Sequence, residues 1–88
     1  MKIELYLVPN DNEGINLKEF LIKNNIKFHE IITDNLELLS NITQSRIIRK
    51  VSLLKITFSS SIHIITGYQE HSLNQLLEHI KKYNPKII

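Results

Sequence analysis

The chain has 88 residues, a length that predicts one domain, and its 42% hydrophobic and 23% charged residues are ordinary values for a globular protein. It contains no cysteine, which excludes disulfides, thiol redox chemistry, cysteine nucleophiles and the common structural zinc sites. Its net charge of +2 comes from 11 basic and 9 acidic side chains, without the dense basic stripe typical of nucleic-acid-binding proteins.

The chain begins with a predicted strand followed by a predicted helix. Residues 3–8 are apolar and β-prone, and their nearly continuous hydrophobicity suits a strand that is covered on both faces. From residue 15 to residue 25 the apolar side chains recur at helical spacing. Asp11 or Asn12, in the polar turn between the two segments, is the expected N-cap of this helix.

A second strand and a second helix follow. Residues 27–33 read as a strand, so the first 33 residues predict a βαβ unit with two parallel strands and a right-handed crossover. Asp34 and Glu37 match a capping box, which predicts a helix from about Asn35 to Thr43 or beyond. For residues 44–50 the pattern leaves both helix and loop open.

The next two strands form a predicted hairpin. Residues 51–58 and 62–66 are β-prone and are separated by a run of three serines, so we expect them to pair in antiparallel fashion. His63 alternates with isoleucines in the second of these strands. We therefore expect its side chain to point to the more solvated face.

The last helix has the clearest amphipathic pattern in the chain. Leucine and isoleucine recur at i, i+3, i+4 and i+7 from Leu73 to Ile80, and Ser72 with Gln75 matches a second capping box. Residues 83–88 are expected to be a C-terminal tail. The order β-α-β-α-β-β-α predicts an α/β domain over residues 1–88, with one sheet between helices on both faces.

Four segments along this order resemble glutaredoxins, which have the thioredoxin fold. Y-L-V-P-N, followed after a short loop by the helical I-N-L-K-E-F-L, is similar to the first strand, the Lys-Pro-x and CPYC motifs and the first helix of that family. The segments N-I-K-F-H-E-I, V-S-L-L-K-I and I-T-G-Y-Q-E resemble the family's G-I-P-F-E-E-I, V-P-x-V/L and I-G-G-Y-D-D motifs. The match spans about residues 2–82 and implies a four-stranded mixed sheet flanked by three helices.

The chain departs from the glutaredoxin pattern at the redox positions. Asp11 and Gly14 stand where the family has its two cysteines, and disulfide exchange requires a thiolate. Ser52 replaces a proline that the family holds in the cis form; a cis bond before a residue other than proline costs about 3 kcal/mol, so we expect a trans peptide. Val8 replaces a lysine that helps to bind glutathione. The resemblance therefore implies the fold without the redox activity.

These observations predict a redox-inactive module that binds a small ligand or a protein partner through the groove of the former active site. The resemblance places Asp11, Asn12, Ser52, Gly67 and Tyr68 along that groove. No catalytic residue, metal site or cofactor is predicted.

Asp11 and Glu13 are the nearest approach to paired carboxylates, and we interpret them as helix-capping residues. Two other functions remain open. One is homo-oligomer formation, for example a homodimer, through the uncharged β-prone residues 61–66. The other is a cysteine-free enzyme that uses glutathione or an anion in the same groove.

The basic residues Arg46, Arg49 and Lys50 form the tightest cationic group in the sequence. We interpret them as a solvated helix end rather than a nucleic-acid site. No segment resembles a signal peptide, and no apolar run reaches the roughly 20 residues that span a bilayer, so a cytoplasmic protein without membrane association is expected.

Overall fold

The computed structural model describes residues 1–43 and 50–83, which form an α/β structure with four strands and three helices in the predicted order. The elements are β1 (Lys2–Leu7), α1 (Asn12–Lys23), β2 (His29–Ile32), α2 (Leu36–Thr43), β3 (Leu53–Thr57), β4 (Ile62–Thr66) and α3 (Glu70–Tyr83). Tyr83, expected in the tail, is the last residue of α3. The predictions for residues 44–49, which include Arg46 and Arg49, and for the rest of the tail at 84–88 lie outside the described residues.

The four strands form one mixed sheet in the order β2-β1-β3-β4. β1 and β2 are parallel, as the βαβ pattern predicts, whereas β3 is antiparallel to both β1 and β4. Leu5 in the central strand β1 lies opposite Leu54 of β3 on one side and Glu30 of β2 on the other. β1 and β3 are therefore the inner strands, and β2 and β4 are the edges.

The larger core lies on the face of the sheet that α1 and α3 cover. Because side chains alternate along a strand, every second residue of β1 and β3 points to this face. The buried members of this cluster are Ile3, Leu5, Leu17, Leu21, Ile26, Leu54, Ile56, Phe58, Ile65, Leu73, Leu76 and Ile80. Leucine and isoleucine side chains from two helices and three strands thus share one apolar layer.

The opposite face carries a smaller cluster that holds α2. Val8, Leu39 and Leu53 are buried there, and Tyr6 and Ile64 pack beside them. Both faces of β1 are therefore covered, in agreement with its nearly continuous hydrophobicity.

The N-caps of α1 and α2 are aspartate and asparagine. Asp11 caps α1, as predicted, and its Oδ1 accepts a hydrogen bond from the Glu13 N–H at 3.3 Å. For α2 the capping-box prediction at Asp34 is wrong. The Asn35 Oδ1 accepts from the Leu38 N–H at 3.1 Å, since the helix begins one residue later than that pattern requires.

The capping-box prediction at Ser72 is also wrong, because α3 already begins at Glu70. Ser72 lies inside the first turn of the helix, and the Leu73 N–H donates to the Gln69 carbonyl at 2.9 Å. The backbone hydrogen bonds of α3 therefore already begin at the Gln69 carbonyl, so the Ser72 side chain is not at the N-terminal end of the helix.

His63 is exposed, as its alternation with isoleucines predicts, but it lies on the same face of the sheet as the larger core. His63 pairs with Ile56, whose side chain is in the larger core, so its imidazole points to the α3 face. Its ring lies edge-on to Phe58 at 5.3 Å and 5.8 Å from the ring of His79. Ile65, two residues further along β4, is buried in the larger core. Because alternate side chains of a strand point to the same face, the His63 side chain lies on the core side of the sheet as well.

Leu39 provides a test of how α2 is attached to the sheet. Leu39→Ala removes a fully buried side chain from the smaller cluster, and we expect a loss of about 2–5 kcal/mol in the free energy of unfolding. The neighbouring Leu38, 38% exposed, is the matched control, and Leu38→Ala should change stability by less than about 1 kcal/mol. Urea denaturation followed by circular dichroism measures both; equal losses would contradict this packing.

Candidate functional site

Ser52 lies at the centre of the predicted groove and joins three segments of the chain. Its Oγ accepts a hydrogen bond from the Val8 N–H at 2.8 Å, and its carbonyl accepts one from the Gly67 N–H at 2.8 Å. The Ser52 N–H donates to the Asp11 Oδ2 at 2.9 Å. We call Val8, Asp11, Ser52 and Gly67 the Ser52 network. It ties the ends of β1 and β4 to the start of α1.

The Asp11 carboxylate serves two elements at once, because one oxygen caps α1 and the other accepts from the Ser52 backbone. Burial would raise the pKa of this carboxyl. Hydrogen bonds from the Ser52 backbone and side chain, and from the Glu13 and Gly14 backbones, outweigh it and lower the pKa of Asp11 below its ordinary value. Asp11 is therefore ionised at neutral pH and is unsuited to act as a general acid.

Gly14 packs directly on Ser52 and closes the site from above. A Cβ at this position would overlap the Ser52 Oγ and the Leu7 side chain. Ser52 itself has 0% exposure, and no peptide bond in the described ranges is cis, so the peptide before Ser52 is trans as expected. Packing therefore fills the space between α1 and Ser52, and no solvent reaches the serine hydroxyl.

Glu13 links α1 to the start of the last helix, a role that the sequence analysis did not predict beyond capping. Its Oε1 accepts a hydrogen bond from the Tyr68 N–H at 3.2 Å. Gly67 has φ +68°, a conformation that side-chain-bearing residues rarely adopt, and a Cβ there would lie 2.7 Å from the Glu13 Oε1. Glycine at position 67 thus permits both the turn and the approach of the carboxylate.

Asn12 and Tyr68 are the more accessible of the predicted groove residues. Asn12 is exposed in the first turn of α1, and Asn16 follows it one turn later on the same side of the helix. Tyr68 is half-buried against the larger core. Both Asn16 and Tyr68 line a cavity of about 520 Å³ between α1 and α3.

The walls of this α1–α3 cavity are polar and partly aromatic. The remaining lining residues are Glu19, Phe20, Lys23, Asn24, Glu70, Asn74 and Leu77. Two glutamates against one lysine make the lining acidic, and the asparagine amides offer both donors and acceptors. The cavity therefore suits a small polar ligand, preferably one with a positive charge.

The remaining kinds of site concern metal ions, membranes and cationic surfaces. Among the described residues, no group of three histidine, aspartate or glutamate side chains is placed to hold a metal ion. In residues 1–43 and 50–83, no helix is both long enough and apolar enough to cross a bilayer. Lys50, the described member of the predicted basic group, is exposed and lies 3.5 Å from the Asp34 carboxylate.

Comparison with known proteins identifies no relative: no protein-family model, curated protein or solved structure matches this chain.

Ser52→Ala tests whether the Ser52 network stabilises the fold. The substitution removes the acceptor of the Val8 N–H and leaves that buried amide unpaired, so the free energy of unfolding should fall by about 1–3 kcal/mol. Ser60→Ala, in the exposed hairpin turn, is the matched control and should have almost no effect. Chemical denaturation measures both, and an unchanged Ser52→Ala variant would refute the structural role.

The lowered pKa of Asp11 predicts a stability that depends on pH. A carboxyl whose pKa is lower in the folded state contributes stability above its unfolded pKa, near 3.8, and loses it as pH falls through the folded value. Asp11→Asn should therefore be less stable than the wild type at pH 7. The gap should narrow below about pH 4, as the wild-type carboxyl becomes protonated.

Unfolding measured from pH 7 to pH 2.5 tests this prediction. Asp34→Asn, at an exposed aspartate in a surface pair with Lys50, is the control and should differ little from the wild type at pH 7. A difference between Asp11→Asn and the wild type that stays constant over the whole range would contradict the ionised, hydrogen-bonded Asp11.

Proposed function

We propose that this protein is a redox-inactive module of the thioredoxin-like, glutaredoxin-like class, and that it binds a small ligand or a protein partner beside the start of α1. The support is the combination of the motif order in the sequence with the strand order β2-β1-β3-β4 and one parallel strand pair. The cytoplasmic, single-domain character expected from the sequence belongs to the same proposal.

The Ser52 network is the observation that carries the proposal. At the place where the resembling family holds two cysteines and a cis proline, this chain has Asp11, Gly14 and Ser52. These residues hydrogen-bond and pack with one another, so they hold the same junction together without any thiol. A junction that is held by hydrogen bonds and packing, with no thiol, favours a binding role for this scaffold over thiol chemistry.

The ligand surface follows from what the network leaves accessible. Asn12 and Asn16 form a polar stripe along α1 that leads into the α1–α3 cavity, and Tyr68 forms part of the opposite wall. Glu19 and Glu70 give the cavity its acidic character. We therefore place binding along this stripe and cavity, with amide- or ammonium-bearing ligands favoured over anions such as glutathione.

An activity assay tests the redox part of the proposal. Because the chain has no thiol to attack a disulfide, insulin reduction in the presence of glutathione should not exceed the background rate. A protein-dependent rate that scales with concentration would refute the proposal.

A ligand screen by nuclear magnetic resonance tests the binding part. Short cationic and uncharged peptides, with glutathione as the anionic comparison, are titrated into isotopically labelled protein. We expect amide shifts at Asn12, Asn16, Tyr68 and Glu70, and Asn16→Ala should weaken binding at least about fivefold because one amide contact is lost. Asn41→Ala, which changes an exposed side chain of α2, is the control and should bind the ligands like the wild type. Amide shifts confined to other surfaces would contradict this binding site.

Self-association through an edge strand is the second candidate function. β4 is an edge strand of the sheet, and its residues Ile62–Thr66 carry no formal charge. Ile62 is 58% exposed. Uncharged edge strands with exposed apolar residues recruit further strands, which favours a homo-oligomer.

A further inference from the structure

The open edge of β4 presents a defined set of backbone groups. The Phe58 N–H donates to the Ser61 carbonyl, and the Gly67 N–H donates to the Ser52 carbonyl, so both ends of the β3–β4 ladder are hydrogen-bonded pairs. Bonded and non-bonded pairs alternate in an antiparallel ladder. The N–H and C=O groups of His63 and Ile65 therefore point to β3.

The backbone groups of the alternate residues Ile62, Ile64 and Thr66 consequently point away from the sheet. Within the described residues one of these groups has a partner, since the Thr66 carbonyl accepts from the Gln69 side-chain amide at 2.7 Å. A carbonyl oxygen has two lone pairs and can accept a second bond. The edge thus offers donors and acceptors at regular intervals along the whole strand.

The other edge of the sheet is protected by charge, whereas β4 is not. β2 contains Glu30, whose carboxylate forms an ion pair with Lys18 of α1 at 2.9 Å. Charged side chains at an edge oppose the addition of a further strand. The five residues of β4 include none, so in the part of the chain that the structure describes β4 is the edge more open to pairing.

We infer that a second copy of this chain adds to β4 as an antiparallel strand, about a twofold axis at Ile64. In this register Ile64 pairs with the partner's Ile64, and Ile62 pairs with the partner's Thr66. These are the residues whose backbone groups point outward, so each pair can exchange both of its N–H···O=C bonds. A second copy thus pairs every outward backbone group of β4 with a counterpart, and it brings no acidic or basic side chain of β4 against its own copy.

Side-chain chemistry agrees with the twofold register. His63 lies opposite the partner's Ile65 and never opposite its own copy, so no imidazoles face each other across the axis. Lys55, the charged residue of β3 beside Ile64, lies one strand further back. Two such lysines would be separated by three strand spacings, about 14 Å, where salt screens their repulsion.

Cavities flank β4 on both faces of the sheet and can take the partner's alternating side chains. One of about 310 Å³ lies on the α3 side and is lined by residues that include His63, Leu76 and His79. One of about 390 Å³ lies on the α2 side and is lined by residues that include Ile42 and Ile62. A paired strand would cover the exposed Ile62 and extend the walls of both cavities, in which apolar and polar side chains are mixed.

This inference rests on the second candidate function, because it names the partner, the edge and the register of that self-association. Sedimentation velocity of the full chain from about 10 µM to 2 mM tests it. A short paired strand gives a small interface, so we expect a monomer–dimer equilibrium with a Kd between about 10 µM and 1 mM. Ile62→Lys should weaken the dimer at least about tenfold, since a charged side chain on an edge strand opposes the addition of a further strand.

Ile32→Lys is the matched control, because Ile32 lies in the other edge strand and is 66% exposed. This variant should dimerise like the wild type. If Ile32→Lys dissociates the dimer and Ile62→Lys does not, self-association stands but the inferred surface is wrong. A monomer at every concentration would overturn both the inference and the second candidate function.

Amide hydrogen exchange of the wild-type protein supplies a readout that needs no variant. The amides of Ile62, Ile64 and Thr66 should exchange rapidly in dilute solution and become protected as concentration rises through the Kd. The amides of His63 and Ile65 bond to β3 and should be protected throughout. Two outcomes would refute the twofold pairing. In one, the outward amides are protected from exchange equally at all protein concentrations; in the other, they exchange rapidly even where sedimentation shows a dimer.

Discussion

The fold depends on a single buried serine at the junction of β1, β4 and α1. Ser52 has no contact with water, yet its N–H, its carbonyl and its hydroxyl oxygen are all hydrogen-bonded. Burying a polar group without a hydrogen-bond partner destabilises the folded state. Each hydrogen bond of Ser52 avoids this loss and also fixes the position of the segment that it contacts. The start of α1 is thereby held against the sheet at the point where β1 ends and β3 begins.

The charge of Asp11 completes this junction and also limits its chemistry. A carboxylate that caps a helix and accepts a backbone N–H is stabilised in its ionised form, which lowers its pKa. The features that make Asp11 a good structural anchor therefore make it a poor proton donor. A ligand could bind at the neighbouring polar stripe and cavity without breaking the Ser52 network. Neither the Asn16 nor the Tyr68 side chain takes part in the hydrogen bonds of that network.

The sequence predicted the elements well and their ends poorly. Apolar periodicity predicted α1 and α3, the polar pattern before residue 36 predicted α2, and the β-prone runs predicted the four strands. The short serine turn indicated the hairpin. The cap of α2 was misplaced because Asp34 and Asn35 stand side by side and give similar signals. The cap of α3 was misplaced because Ser72 and Gln75 match a capping box inside the helix. The face of His63 depends on which isoleucines of β4 reach the core, and alternation alone does not show this.

The site was harder to predict than the elements, because its contacts join distant parts of the chain. The hydrogen bond between Val8 and Ser52 joins residues 44 positions apart in the sequence, and the one between Ser52 and Asp11 joins residues 41 positions apart. Glu13 and Tyr68, also hydrogen-bonded, are 55 positions apart. No periodic pattern encodes such pairs. The resemblance to a known family brought Asp11, Ser52 and Gly67 together, but it did not show that packing fills the space between them.

The close approach of Gly14 to Ser52 has a consequence for how this chain could change. A cysteine placed at position 14 would collide with the serine hydroxyl and with Leu7, so a single codon change there would disrupt the helix start before it supplied a useful sulfur. Introducing a thiol at this position would therefore also require replacement of Ser52 and Leu7. Packing around Gly14 thus opposes the gain of a thiol at this position by an isolated substitution.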